Sequence, residues 1–172
     1  MLINLSDIIK DDGGKLEILE SFEMPKMDFL GEEFTFEKPL NIKATILNNT
    51  KSLELKGKVT GEMNVHCARC GKPLTVALEF PISEILVRED SNFTEDEDVI
   101  VYSGNSCELM EAIENGFILN VSGKFLCSED CRGLCPRCGT NLNESECNCD
   151  NEYIDPRLEK LAEIMKNMSD TE

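Results

Sequence analysis

Residues 53–76, LELKGKVTGEMNVHCARCGKPLTV, decide how this chain is read. Leu53, Leu55, Val59, Met63 and Val65 fall on odd positions, the two-residue period of a strand with one buried face. That strand ends at Cys67, and Cys67-x-x-Cys70 followed by Gly71 has the form of a metal knuckle. A tight turn sets two thiolates on one side, and a glycine free to take positive φ lets backbone N–H groups turn toward the sulfurs. From Leu74 to Val87 the alternation resumes through Val76, Leu78, Phe80 and Ile82, so the first knuckle is expected to be a hairpin turn.

Upstream, Phe34, Phe36, Leu40, Ile42, Ala44 and Ile46 occupy even positions. Asn48-Asn49 then marks a turn into the strand at Leu53, which predicts a second antiparallel pairing. The first residues predict a strand or helix turn, the Asp11-Asp12-Gly13-Gly14 turn, and a strand through Leu16 and Leu19. Downstream, residues 88–98 read as a solvated acidic loop, and Val99–Tyr102 as a short strand. Ser106 as a cap, then Leu109, Met110, Ile113, Phe117 and Ile118 at helical spacing, predict a helix from Cys107 to Asn120, weakened at its end by Gly116. Asp155-Pro156 and the stripe Leu158, Leu161, Ala162, Ile164 and Met165 predict a second helix.

The knuckle is written twice. Cys-x-Arg-Cys-Gly-x-x-Leu occurs at Cys67–Leu74 and again at Cys135–Leu142, with Cys127, Cys131, Cys147 and Cys149 close by. The stretch 127–149 has too little aliphatic content to bury a core of its own, so metal is expected to hold it. Structural zinc takes four ligands in a closed tetrahedron, and eight of the nine cysteines divide into two such sets. Cys135, Cys138, Cys147 and Cys149 form a compact local set, although the Cys-x-Cys half is shorter than the usual spacer. Cys67 and Cys70 would join Cys127 and Cys131. The rival is a single zinc that mixes the sets, for example Cys131, Cys135, Cys138 and Cys147, leaving one or two Zn2+ ions open. Cys107, alone among apolar neighbours, reads as a small buried hydrophobe, and His66 as an ordinary strand-end histidine.

Composition narrows the function. With 41% hydrophobic residues in 172, the chain has material for a core, and metal would supplement it. Thirty-four acidic against 17 basic residues give a net charge of -17, which repels nucleic acid and anionic membranes at long range. An RNA contact therefore needs a local basic patch or a basic partner protein. The candidates are Lys51, Lys56, Lys58, Arg69 and Lys72 near the first knuckle, and Lys124, Arg132 and Arg137 near the second. No signal-peptide pattern opens the sequence and no apolar run reaches membrane-spanning length, so a cytoplasmic protein without membrane contact is expected. Nine cysteines in a reducing compartment then point to metal rather than disulfides. One histidine, no His-x-Glu beside a Cys-x-x-Cys and no phosphate-binding glycine motif argue against an enzyme. A thiol-redox role is the remaining catalytic competitor.

The run Gly57-Lys58-Val59-Thr60-Gly61-Glu62 into Val65-His66-Cys67-Ala68-Arg69-Cys70 resembles the signature of the YceD family, the large ribosomal RNA subunit accumulation proteins. The tail extends the resemblance to the cysteine-rich Gram-positive form: Cys127 to Cys131, Gly133-Leu134-Cys135-Pro136-Arg137-Cys138-Gly139, Asn141-Leu142-Asn143, Cys147, Cys149 and Asp155-Pro156-Arg157-Leu158. It implies a non-enzymatic cytosolic ribosome-biogenesis factor supporting accumulation or processing of large-subunit (23S) rRNA. Its partners would be that rRNA or a ribosomal protein in an assembly intermediate. The alternative is a zinc-stabilised, redox-responsive interaction protein. The expected fold is α+β: an antiparallel sheet or partly closed barrel with two helices and a zinc-bound cysteine-rich C-terminal module. Residues 1–126 would form the β body with its helix near 107–120, and 127–172 the zinc module and terminal helix.

Overall fold

A computed structural model describes residues 1–90 and 99–149. Among these residues nine strands precede one helix: β1 Leu2–Asn4, β2 Lys15–Phe22, β3 Met27–Phe29, β4 Glu32–Phe34, β5 Leu40–Asn48, β6 Leu53–His66, β7 Pro73–Arg88, β8 Ile100–Tyr102, β9 Ser106–Glu108 and α1 Met110–Asn120. The chain divides into two compact units, one of Met1–Ala68 with Lys72–Cys127, the other of Arg69–Gly71 with the residues from Ser128 onward.

The first unit is built on a five-stranded sheet in the order β2-β5-β6-β7-β8. Its pairings are antiparallel except β7 with β8, which run parallel. The alternation that predicted the strands also selects the buried face: Leu40, Ile42, Ala44, Ile46, Leu55, Val59, Met63, Val65, Leu78, Phe80 and Ile82 are all buried. At the β5–β6 turn, Asn48 is buried as well. Its Nδ2 donates to the Ile8 carbonyl at 2.7 Å and its Oδ1 accepts from the Thr50 N–H at 2.8 Å, so burial leaves no polar atom unsatisfied. Helix α1 packs on β7 through Phe117, which meets Phe80, and Gly116, which lies against Pro81 and Ile82. There Phe117 meets Phe34, Phe36 and Phe80 edge to face at 5.3–5.9 Å between ring centroids.

Three expectations are corrected. The fold is mainly β, not α+β: among the described residues there is one helix, and the second predicted one, from Asp155, lies outside them, as do Ser91–Asp98 of the acidic loop. The sheet is open and not a partly closed barrel, because β2 and β8 are its two edges and do not pair with each other. β8 contributes only three residues before the Ser103–Ser106 turn sends the chain into β9, which pairs with β1 instead.

The helix start also moves. Ser106 and Cys107 do not open α1; they form β9, in register with Leu2–Asn4, and the Leu109 N–H donates to the Met1 carbonyl at 2.9 Å. Glu108 supports the first turn by accepting the Met110 N–H at 3.3 Å. A distant strand thus outcompetes a local capping pattern, which periodicity alone does not reveal. Gly116 is likewise no mere weak point, since a Cβ there would stand 2.8 Å from Ile82 Cγ2 and 3.0 Å from the Pro81 carbonyl.

Candidate metal centres

The first knuckle is the turn between β6 and β7. The Cys67 N–H closes it on the Lys72 carbonyl at 2.8 Å, and the Ala68 N–H donates to the Phe125 carbonyl at 2.8 Å, giving a parallel bridge of Cys67 with Phe125. The second knuckle repeats the turn: the Cys135 N–H donates to the Thr140 carbonyl at 2.8 Å and the Gly139 N–H to the Cys135 carbonyl at 2.9 Å. Gly71 and Gly139 follow their knuckle cysteines at φ 69° and 73°. Nothing stands within 4 Å of a Cβ at either, so the backbone conformation, not crowding, demands glycine there.

Two groups of four thiols result. The sulfurs of Cys67, Cys70, Cys127 and Cys131 lie within 4.8 Å of one another, and so do those of Cys135, Cys138, Cys147 and Cys149. A tetrahedron with Zn–S near 2.3 Å places its sulfurs about 3.8 Å apart, a separation that falls inside this limit. Either set can hold a metal ion.

The electrostatics of the second group fit a cation. Cys138 Sγ lies 3.1 Å from Thr140 Oγ1, and that hydroxyl, the Thr140 N–H and Cys135 pull the Cys138 thiol down to about 6. The Cys138 and Arg137 N–H groups lower Cys135 as well. In contrast, hydrogen bonding to Cys138, burial and neighbouring thiolate charge push Cys149 up to about 12, and Cys147 is raised mainly by Cys135 and burial, against the pull of the Cys149 N–H. Four thiols this close cannot all ionise unaided, and a divalent cation is the charge that would let them.

Two side chains not singled out by sequence reasoning support the thiols. Thr140 holds Cys138, and Asn143 Nδ2 donates to Cys131 Sγ at 3.4 Å while its Oδ1 accepts from the Arg132 N–H at 2.8 Å. The short polar residues of Gly139-Thr140-Asn141-Leu142-Asn143, directly after the knuckle, were the signal available. Cys107 is buried in β9, where desolvation first and Glu108 second raise its thiol to about 11, and it belongs to neither group. His66 ends β6, exposed.

The basic candidates have varied surroundings. Arg69 Nη1 donates to the carbonyls of Glu129 and Cys131, at 3.2 and 2.8 Å. Lys56 pairs with Glu54 and Lys58 with Glu79, the latter at 3.3 Å. Lys72, Arg132 and Arg137 are exposed. Among the described residues no helix is long and apolar enough to cross a membrane.

The profile of the family described as "Large ribosomal RNA subunit accumulation protein YceD" matches residues 55–165, more than half of the chain. That description names an accumulation protein, not an enzyme. An uncharacterized protein of Mycobacterium tuberculosis, Rv2926c, is 30% identical over 77% of this chain, which spans 65% of that relative's length. The chloroplastic "Large ribosomal RNA subunit accumulation protein YCED homolog 1" of Arabidopsis thaliana is 23% identical over 78% of this chain and 51% of its own. YlbN of Bacillus subtilis, also uncharacterized, is 20% identical over 87% of this chain and 88% of its own. No solved structure matches.

Proposed function

We propose, from the premise that this chain belongs to the YceD family, that it is a non-enzymatic ribosome-biogenesis factor acting in the cytoplasm on accumulation or processing of large-subunit rRNA. The family match over residues 55–165 carries this reading, and the chloroplastic relative's name supports it. Zinc is the metal proposed for both thiol groups: Cys67, Cys70, Cys127 and Cys131 would hold one ion, and Cys135, Cys138, Cys147 and Cys149 the other. When bound, a four-thiolate zinc has no open position for substrate and serves to fix the fold. The chain's own contribution is to orient those sulfurs through the N–H groups, Thr140 and Asn143, and so to hold a loop-rich stretch in one shape. With residues 127–172 proposed as a zinc module and 1–126 as a β body, the metal would stand in for the core that the cysteine-rich stretch lacks.

The test is sedimentation of the full chain with large-subunit precursor particles, together with large-subunit rRNA levels in cells depleted of it. Enrichment on the precursors and a fall in mature large-subunit rRNA are expected. Absence from the particles with unchanged rRNA would overturn the assembly role. Metal analysis expects two zinc ions per chain, and a ratio near one would remove the two-site assignment.

A further inference from the structure

The outward face of β2, β5 and β6 carries a shallow groove of about 530 Å³. Ile18, Ala44 and Gly57 are cross-strand partners at its centre. Ile18 and Ala44 send their side chains into the core and Gly57 has none, so backbone forms the floor. Lys43, Lys56 and Lys58 line the groove, with Glu17 as its carboxylate.

Lys43 and Lys58 stand directly opposite each other in the β5–β6 register, and Lys56 is the next outward residue along β6. Like charges directly opposite on one sheet face destabilise the pairing, and nothing in the register requires them, since both side chains are exposed. Glu79 and Glu54 offset Lys58 and Lys56, but among the described residues Lys43 makes no ion pair. On a chain with 34 acidic and 17 basic residues, this groove brings three lysines together, and Lys43 is the one that makes no ion pair among the described residues. A floor of backbone between lysines suits an anionic strand, whose phosphates could meet the ammonium groups, with the exposed Leu19 side chain standing on the β2 side of the groove.

We propose that this groove is the chain's RNA-docking surface, with Lys43, Lys56 and Lys58 contacting backbone phosphates and Glu17 opposing them. The inference rests on the rRNA-directed function above and gives it a location. It adds Lys43, whose place opposite Lys58 is set by the strand register, to the basic residues read from the sequence. Recognition of this kind is largely independent of base sequence.

Binding of the full chain to transcribed large-subunit rRNA, titrated with KCl, tests it. Lys43→Gln and Lys58→Gln should each lower the slope of log affinity against log salt by about 0.7, the increment per phosphate contact on single strands. Glu17→Gln should tighten binding about threefold, a gain that misfolding would not produce. Lys43→Arg should keep the wild-type slope. Unchanged slopes in both glutamine variants, or no binding of the wild type to naked rRNA, would overturn the groove, whether or not the protein sediments with precursors. Groove-dependent RNA binding without sedimentation on precursors would support the surface and defeat the assembly role instead.

Discussion

Arg69 Nη1 donates to the main-chain carbonyl of Cys131 at 2.8 Å. The same nitrogen reaches the Glu129 carbonyl at 3.2 Å, so an exposed arginine of the first knuckle is committed to the loop that presents a thiol. The Leu134 N–H in turn donates to the Arg69 carbonyl at 3.2 Å, and the close approach of Gly133 leaves only 3.0 Å between that oxygen and a Cβ. Arg69 is therefore better described as a support for Cys131 than as an RNA contact. Arg69→Ala should cut retention of one metal about tenfold in chelator competition, the usual cost of losing an outer partner of a ligand. Arg69→Lys should recover part of this, because one nitrogen reaches both carbonyls and an ammonium can supply those donors, though without the rigid guanidinium plane that holds them in place. Retention equal to wild type in both variants would refute the role.

In the metal-free protein the four thiols of the second group should differ sharply in reactivity. Thr140 holds Cys138 down to about 6, whereas Cys149 is pushed up to about 12. Cys138 favours its ionised form in the fold, so its stabilising contribution is complete above the ordinary thiol pKa near 9 and fades as pH falls through 6. Cys149 works the other way, opposing the fold as pH rises beyond 9 toward 12. Alkylation of Cys138 should rise through about pH 6 and level off, with Cys149 reacting only in strong alkali and zinc protecting both. Thr140→Val should move the Cys138 midpoint upward, and an unmoved midpoint would show that the hydroxyl does not set it.

What was legible in the sequence follows from how local each cause is. The faces of β5, β6 and β7 could be read because one period of two residues governs both strand and burial, and the knuckle hairpin because turn and ligands share six residues. Closure of the sheet was not legible, since it depends on whether two edges far apart in sequence meet. The same holds for Ser106, whose capping pattern is real but whose backbone is taken by Asn4. Lys43 gained meaning only when the register put Lys58 opposite it. The supporting roles of Thr140 and Asn143 depend on turns whose shape no periodicity encodes.

Cys107 offers a contrast with the eight clustered cysteines. It pairs with Ile3 between β1 and β9, is 1% exposed, and its raised thiol pKa reflects that burial. Cys107→Ser should destabilise the protein by about 1–3 kcal/mol, since a hydroxyl replaces a sulfur in apolar surroundings. Zinc content should not change. Cys135→Ser should do the reverse, removing one equivalent of zinc with little effect on unfolding of the sheet. Loss of zinc on Cys107→Ser would mean that it is a ligand.

Gly57 lets the central strand approach its neighbour more closely than any side chain permits. It is paired with Ala44, and a Cβ on it would lie 2.4 Å from the Ala44 Cβ and 2.5 Å from the Lys43 carbonyl. Neither obstacle is the end of a flexible side chain, so the collision must be relieved by moving backbone. Four residues on, a Cβ at Gly61 would meet Leu40 Cδ2 at 2.4 Å, a softer obstacle because that methyl can rotate away. Gly57→Ala should therefore cost about 1–3 kcal/mol of overpacking strain, and Gly61→Ala less. Chemical denaturation measures both, and an equal or inverted order would mean that β5 yields at Ala44 more readily than this packing allows. Because Gly57 also forms the floor between Lys56 and Lys58, its alanine variant should lose rRNA affinity in step with the displaced strand even though no charge has changed.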